Sequence, residues 1–578
     1  MFNSDLIGTS NASILSLSVL SIFVVSRVLR YVKGLQTVNH IPGYRPPFSP
    51  LDFPGVVLPT SWWNTGLDVH FERRHDMYKE REYISIVPYI NGPIQIWTNN
   101  LDIAKQIEGG GGSRGVFQKP PESMRALRLW GPNLAASNGE QWRKHRRVMG
   151  PAFNAKLYNV VWKKTQDIYR DMVSTEEWKK DEVSLEPVHS MTFKLALIIL
   201  GSCGFGLPGS WSEPPRTQDD DPKAMTVQGA LRIVADTVAL TLFAPGWVKS
   251  LPFKTLVLLV MIFSEVAQNR SNDRIQDSQR AYRQLSSFMK EQIALRKSSV
   301  NSESGVDQSD ESIARNNVLT LLVQASENEE SKYQLDDDEL IGNVFLLLLA
   351  GHETTANALA GTFGFLAAHP AVQQELHDHI VEVVGHERDP TFEDYNSLNK
   401  VMSAFIEAVR FFPGGHVLIR EANEDTILDI PADPKTGKGK ESIPLRKGAQ
   451  VVVDMIGIHR NPRYFDAPEE YRPSRWYNVP NDSDLFTGFS FGASGVYNVA
   501  DLNLTSLPEG PRSCIGRKFA TVEAVCWLTM ILRDWEVRPS LKKGETESDW
   551  AQRNPIPNFS LTLGVGDLAL KFVRRSKE

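Results

Sequence analysis

Apolar positions along the chain fall into three kinds of run. From Leu6 to Val25 the sequence reads LIGTSNASILSLSVLSIFVV, with no charge. That is about one bilayer-spanning helix. From Glu82 to Thr98, EYISIVPYINGPIQIWT alternates about Asn91-Gly92, which predicts two extended segments joined by a turn. GAQVVVDM, from Gly448 to Met455, predicts another strand. Most remaining apolar residues recur at helical spacing. In the clearest case Asp336 and Glu339 have capping-box spacing, an apolar run extends to His369, and Pro370 starts the next element. A helix that is apolar all round is buried. The pattern predicts a mainly α fold with a small β-rich lobe near the N-terminus. The expected divisions are an anchor over 1–26, a basic, proline-rich linker over 27–50 and one large domain over 51–578.

Arg27, Arg30 and Lys33 follow the apolar run directly. Positive residues on that flank place the downstream chain in the cytosol. A cleaved signal peptide is the competing reading. No small-residue cleavage site stands out, however, and the basic residues lie on the wrong side of the run. IPGYRPPFSP, Ile41 to Pro50, predicts a stiff extended spacer. KSSVNSESGVDQSDESIARNN, Lys297 to Asn317, has few large apolar residues and predicts a mobile surface loop. SEPPRTQDDDPK, Ser212 to Lys223, reads the same way.

Composition changes this picture little. The 578 residues are 41% hydrophobic and 23% charged, ordinary for a globular protein. A net charge of −6 gives no sign of nucleic-acid binding. Three cysteines, Cys203, Cys514 and Cys526, are too few for a disulfide framework. Cys203 and Cys526 read as small core hydrophobes. Of the glycosylation sequons at Asn11, Asn269, Asn481, Asn503 and Asn558, this topology puts only Asn11 on the lumenal side.

Several constellations could carry chemistry. AGHETT, Ala350 to Thr355, breaks the apolar run with polar groups. Such groups are costly unless paired or useful. Alone they could equally be a satisfied kink, since threonine bonds back to the preceding turn. Glu407 and Arg410 share a helix face among Phe405, Ile406, Val409 and Phe411, where buried charges must be paired. Arg475, in YRPSRW, could complete a network with them. In GPRSCIGR, Cys514 sits between Arg512 and Gly516. Positive charge and backbone N–H groups there would favour a thiolate, and glycine permits close approach of a flat ligand. A lone cysteine in a glycine-rich turn is weak evidence by itself.

The order WRKHR (Trp142 to Arg146), AGHETT, EAVR, YRPSRW and FSFG…GPRSCIGRKFA is more specific than any single motif. Together these resemble a cytochrome P450 of the membrane-anchored, fungal type, from the anchor to about Lys571. The resemblance implies haem b (iron protoporphyrin IX) with Cys514 as its thiolate ligand, which favours O–O cleavage. It implies that Arg512, Trp142, Arg146 and Arg420 partner the haem propionates, with Phe491 and Gly516 in the ligand loop. Glu407, Arg410 and Arg475 look like the family's structural triad. Ala350 and Gly351 would open the distal helix, and Glu353 and Thr354 look like the proton-delivering pair. His352, between them, reads as an ordinary packed side chain.

The activity so implied is monooxygenation of a lipophilic substrate in the endoplasmic reticulum membrane, with electrons from NADPH through NADPH-cytochrome P450 reductase. LWGPNLAASN (Leu129 to Asn138), ADTVALTLFAPGW (Ala235 to Trp247) and the distal helix are apolar segments expected to line the pocket. A terpenoid or polyketide in specialised metabolism fits them. Two alternatives stay open: an isomerase or dehydratase on the same fold, and a haem-deficient relative. The second arises because SGVYNVADLNLTSLPE, Ser494 to Glu509, interrupts the ligand loop. (The junction could equally be drawn from Ala493 to Pro508.) A loop insertion costs little entropy, but this loop must hold its thiolate tightly. A retained intron is therefore favoured over a natural insertion.

Overall fold

The computed structural model describes residues 4–108, 116–121, 123–124, 126–212, 225, 227, 229–234, 273–301, 317–327, 333–431, 440–478, 513–559 and 562–576. Phe491, Arg512, the block 494–509 and the segment Ala235 to Trp247 lie outside the described residues, as do 213–223 and 302–316.

Helices dominate. The longest internal one, Asp337–Ala368, begins at Asp336, whose side chain accepts from the Glu339 N–H while Glu339 reaches back to the Asp336 N–H. It ends at His369, and Pro370–Val384 follows directly. This core helix packs against His189–Ile199 and Asn399–Phe411. Arg517–Asp534 packs against Ala155–Ser174. The main core joins these helices and includes the buried Phe363, Phe405, Trp162 and Trp527. Cys203 and Cys526 are buried in it. Fully burying one large apolar side chain is worth about 1.5–3 kcal/mol.

Behind a first short strand, β1 (Gly43–Tyr44), the alternating segment forms its two predicted strands. They are β2 (Tyr83–Ile86) and β3 (Gln95–Thr98), antiparallel with Tyr83 opposite Thr98. Asn91 and Gly92 lie in the connection, and Gly92 has φ +115°. The predicted strand near Gly448 is β9 (Gln450–Asp454), which pairs parallel with β3. With β4 (Phe117–Gln118) and β6 (Val417–Ala422), these make a six-stranded sheet in the order β1-β2-β3-β9-β6-β4. The lobe is thus small, as expected, but built from both ends of the chain. A three-stranded sheet joins β5 (Glu182–Leu185), β10 (Trp535–Pro539) and β13 (Leu570–Arg574). Two hairpins complete the set. One pairs β7 (Thr426–Ile430) with β8 (Glu441–Leu445), the other β11 (Pro557–Phe559) with β12 (Leu563–Val565).

Two expected boundaries are corrected. The N-terminal helix extends over Ser4–Thr37, so Arg27, Arg30 and Lys33 of the expected linker are helical. Arg27 donates to the Ile90 carbonyl (2.7 Å) and Arg30 to that of Gly92 (2.6 Å). Tyr31, Leu35 and Val38 join the core of the β lobe. The proline-rich stretch is part of the sheet through β1, which pairs with β2. Its carbonyls have partners, so it is no free spacer: Arg45 donates to Ile41 and Tyr44. Residues 297–301 of the expected surface loop end the helix Asp273–Asn301. Lys297 there bonds Asp337 at the head of the core helix (2.8 Å) and Glu327 (3.0 Å). A helix begun upstream carries a polar last turn when it gains such partners.

From Leu15 to Thr37 the N-terminal helix is long and apolar enough to cross a membrane, and its most apolar 18 residues are not buried. A chain starting at Ser26 keeps Arg27, Arg30 and Val38 in place; one starting at Ile41 loses them. Both truncations should lose the spanning segment, but only the second should also lose stability. Thermal unfolding of the two forms checks this, and equal melting temperatures would show that the docked turn contributes nothing.

Candidate active site

Cys514 lies just ahead of Arg517–Asp534, and Gly516 is the N-cap of that helix. As a residue Cys514 is exposed. Surrounding protein raises its pKa by desolvation. Opposing this are the Gly516 and Arg517 backbone N–H groups and the guanidinium charges of Arg146 and Arg517. Gly516 gives the turn room: a Cβ there would reach only 4.0 Å from Cys514 Sγ. A sulfur set among fixed donors and cations suits a thiolate that binds a metal.

Arg146 is one turn from Trp142 on the helix Gly139–Met149, and both are half-buried. Three residues that the sequence reading missed hold this helix in place. Asn343 Oδ1 accepts from the Leu134 N–H (2.9 Å), which fixes its amide. Its Nδ2 then donates to His145 Nδ1 (2.8 Å) and to the Glu339 carbonyl (2.7 Å). His145 is fully buried and its pKa falls to about 4, mainly through desolvation. It is therefore a neutral strut beside Arg146. Gly342, one residue earlier, allows the loop to approach, since a Cβ there would lie 2.4 Å from the Pro132 carbonyl oxygen. An asparagine inside an apolar helix was the available signal.

The core helix is open on one side at mid-length. Ala350 is exposed, and Gly351, Glu353 and Thr354 are half-buried, while most of the helix is buried. Thr354 donates to the Ala350 carbonyl one turn back (2.9 Å). His352 points elsewhere and bonds the Leu348 carbonyl (2.7 Å). Burial drops its pKa to about 4, as for a packed neutral side chain. Glu353 Oε1 accepts from the Thr562 hydroxyl (2.8 Å).

Glu407 is completely buried and collects five donors. Arg410 donates through Nε and Nη2 (both 2.9 Å), Arg475 through Nε (2.9 Å), Trp476 through Nε1 (2.7 Å) and Arg472 through its backbone N–H (2.9 Å). Burial pushes this carboxyl's pKa up, but the bonds and charges of Arg410 and Arg475 outweigh it and hold it low. Arg410 also donates to the carbonyls of His459 (2.8 Å) and Pro468 (2.7 Å). The network therefore joins the helix Asn399–Phe411 to the segment 459–476. Trp476 and Arg472 were not singled out in the sequence, although both lie within YRPSRW. Arg420 sits buried on β6 and donates to the Ile419 carbonyl (2.8 Å).

The structure thus brings Cys514, Gly516 and Arg146 together, and separately Glu407, Arg410 and Arg475. These donors fit a haem with a thiolate ligand: a cysteine sulfur, cations beside it, and an opened helix carrying a carboxylate and a hydroxyl.

The sequence model of the cytochrome P450 family matches residues 59–495. The chain belongs to the cytochrome P450 family, whose cofactor is haem. It is a monooxygenase, an oxidoreductase that works with a redox partner on lipophilic substrates. Cytochrome P450 monooxygenase 124 of Postia placenta is 27% identical over 91% of each chain. Cyclooctat-9-en-7-ol 5-monooxygenase of Streptomyces melanosporofaciens is 27% identical over 73% of this chain and 76% of its own. The phomenoic acid biosynthesis cluster cytochrome P450 monooxygenase of Leptosphaeria maculans is 23% identical over 75% of this chain and 72% of its own. The family match ends at residue 495, so Cys514 lies beyond it.

Proposed function

We propose that this chain is a membrane-anchored monooxygenase holding haem b on the Cys514 thiolate. Its electrons come from NADPH through NADPH-cytochrome P450 reductase. The observation that carries this reading is the Cys514 sulfur among the Gly516 and Arg517 N–H groups and the Arg146 and Arg517 charges. Bound there, haem supplies oxygen activation, with one atom entering substrate and the other leaving as water. Arg146, Trp142 and Arg420, with Arg512, partner the propionates, and Phe491 belongs to the ligand loop. Glu407, Arg410 and Arg475 hold the fold on which that loop is set.

The substrate proposed is a lipophilic specialised metabolite, a terpenoid or a polyketide. The relatives named for cyclooctat-9-en-7-ol and for phomenoic acid biosynthesis support this class. The proposed location is the endoplasmic reticulum membrane, crossed once, with the catalytic domain cytosolic and Asn11 on the lumenal side. The apolar N-terminal helix supports that placement. So do the exposed Trp62 (90%) and Trp63, because tryptophan favours the membrane interface. The block 494–509 is read as a retained intron, which agrees with the end of the family match at residue 495. NADPH-dependent oxygen uptake by the purified protein with reductase, stoichiometric with an oxygenated product, tests the function. Absence of haem from the long form would turn the reading to a haem-deficient protein.

Thr354 and Glu353 carry the protons that O–O cleavage consumes. Thr354→Ala removes the hydroxyl together with the small methyl of a half-buried side chain. Haem content should stay unchanged while product formed per NADPH falls about tenfold or more, with hydrogen peroxide released instead. An unchanged product-to-NADPH ratio would remove Thr354 from the mechanism.

A further inference from the structure

The hydroxyl that meets Glu353 comes from Thr562, 209 positions further along the chain. A carboxylate can only accept, so the one hydroxyl proton of Thr562 is committed to Glu353 Oε1 (2.8 Å). The Thr562 oxygen then has only acceptor capacity left, and Asn357 uses it. Asn357 stands one helical turn beyond Glu353 and donates through Nδ2 to Thr562 Oγ1 (3.1 Å). The amide fixes the polarity of the chain Asn357 → Thr562 → Glu353.

The hairpin is built to reach this point. Thr562 directly precedes β12, whose Leu563 N–H donates to the Gly414 carbonyl (3.2 Å). Gly414 in turn borders Thr354: a Cβ on it would lie 3.2 Å from Thr354 Cγ2. A Cβ on Gly564 would come 2.6 Å from Asn357 Cγ, so glycine lets the hairpin lie against the core helix. The β11–β12 hairpin therefore reaches Glu353 through Thr562, and through Leu563 it meets Gly414, which borders Thr354.

We propose that Thr562, polarised by Asn357, is a positioning residue that sets the rotamer of Glu353. This rests on the reading above in which Glu353 handles protons. Thr562 holds the Glu353 carboxylate against the hairpin, one residue from Thr354 on the same helix. Without the hydroxyl, Glu353 samples other rotamers and the protons arrive too slowly to keep pace with electron delivery.

The test compares Thr562→Val, Thr562→Ser, Asn357→Asp and Glu353→Ala in the full-length, haem-loaded protein. Product formed per NADPH should fall about two- to tenfold in Thr562→Val, the range one hydrogen bond spans. Thr562→Ser should restore it. Asn357→Asp should lower it with Thr562 intact, because an acceptor there competes for the hydroxyl proton. Melting temperatures give a readout independent of turnover: Thr562→Val should cost less in the Glu353→Ala background than in the parent. Additive melting temperatures overturn the proposal. So does a parent-like product ratio in Thr562→Val when Glu353→Ala lowers it. If Glu353→Ala leaves the ratio unchanged, the proton role of Glu353 itself falls, and this inference with it.

Discussion

A Cys514→Ser variant, reduced and exposed to CO, should show no thiolate-type Soret band. An alcohol stays protonated under conditions where a thiol beside cations ionises, and neutral oxygen is a far poorer donor to iron than a thiolate. The substitution exchanges one atom in an exposed residue, so the fold should survive it. Cys203→Ser and Cys526→Ser are the controls. Both sulfurs are buried in the core, so these changes should reduce stability and leave the band in place. A thiolate-type band persisting in Cys514→Ser would assign the ligand elsewhere.

Glu407→Gln should prevent accumulation of folded, haem-containing protein. The amide keeps the shape of the side chain but removes the charge that compensates Arg410 and Arg475. Arg410 is 2% exposed, so its cation would be stranded. Breaking a buried pair from one side costs about 3–5 kcal/mol, a large part of the roughly 5–15 kcal/mol that stabilises a domain. The amide NH2 would also face donors whichever way it lies: Arg410 and Arg475 at the Oε1 position, or Arg410 and Trp476 at the Oε2 position. Soluble yield and thermal unfolding measure the loss. A variant as stable as the parent would show that the network is dispensable. In the parent, the depressed pKa of Glu407 gives a signed pH dependence. Its contribution is present above the unfolded value of about 4.3 and is lost as pH falls through the lower folded value.

The sequence by itself determined the features that depend on neighbours in the chain. The uncharged run before Arg27 marks the anchor, and the Asp336–Glu339 spacing sets the start of the core helix. Alternation near Glu82 was enough to place β2 and β3. The ordered motifs named the family because residue type and spacing survive in a string. Glu407 and Arg410 were legible as a pair because helical geometry puts them on one face.

Tertiary structure decided which distant residues meet. Trp476 joins Glu407 across 69 positions, Asn343 reaches His145 across 198, and Thr562 reaches Glu353 across 209. No local period encodes such contacts, because each exists only once helices and hairpins have packed. The same holds for the N-terminal helix. Its apolar run ends at Val25, and charge alone suggested that a linker begins there. The carbonyls of Ile90 and Gly92, brought beside Arg27 and Arg30 by the fold, give those cations partners and keep the backbone helical to Thr37.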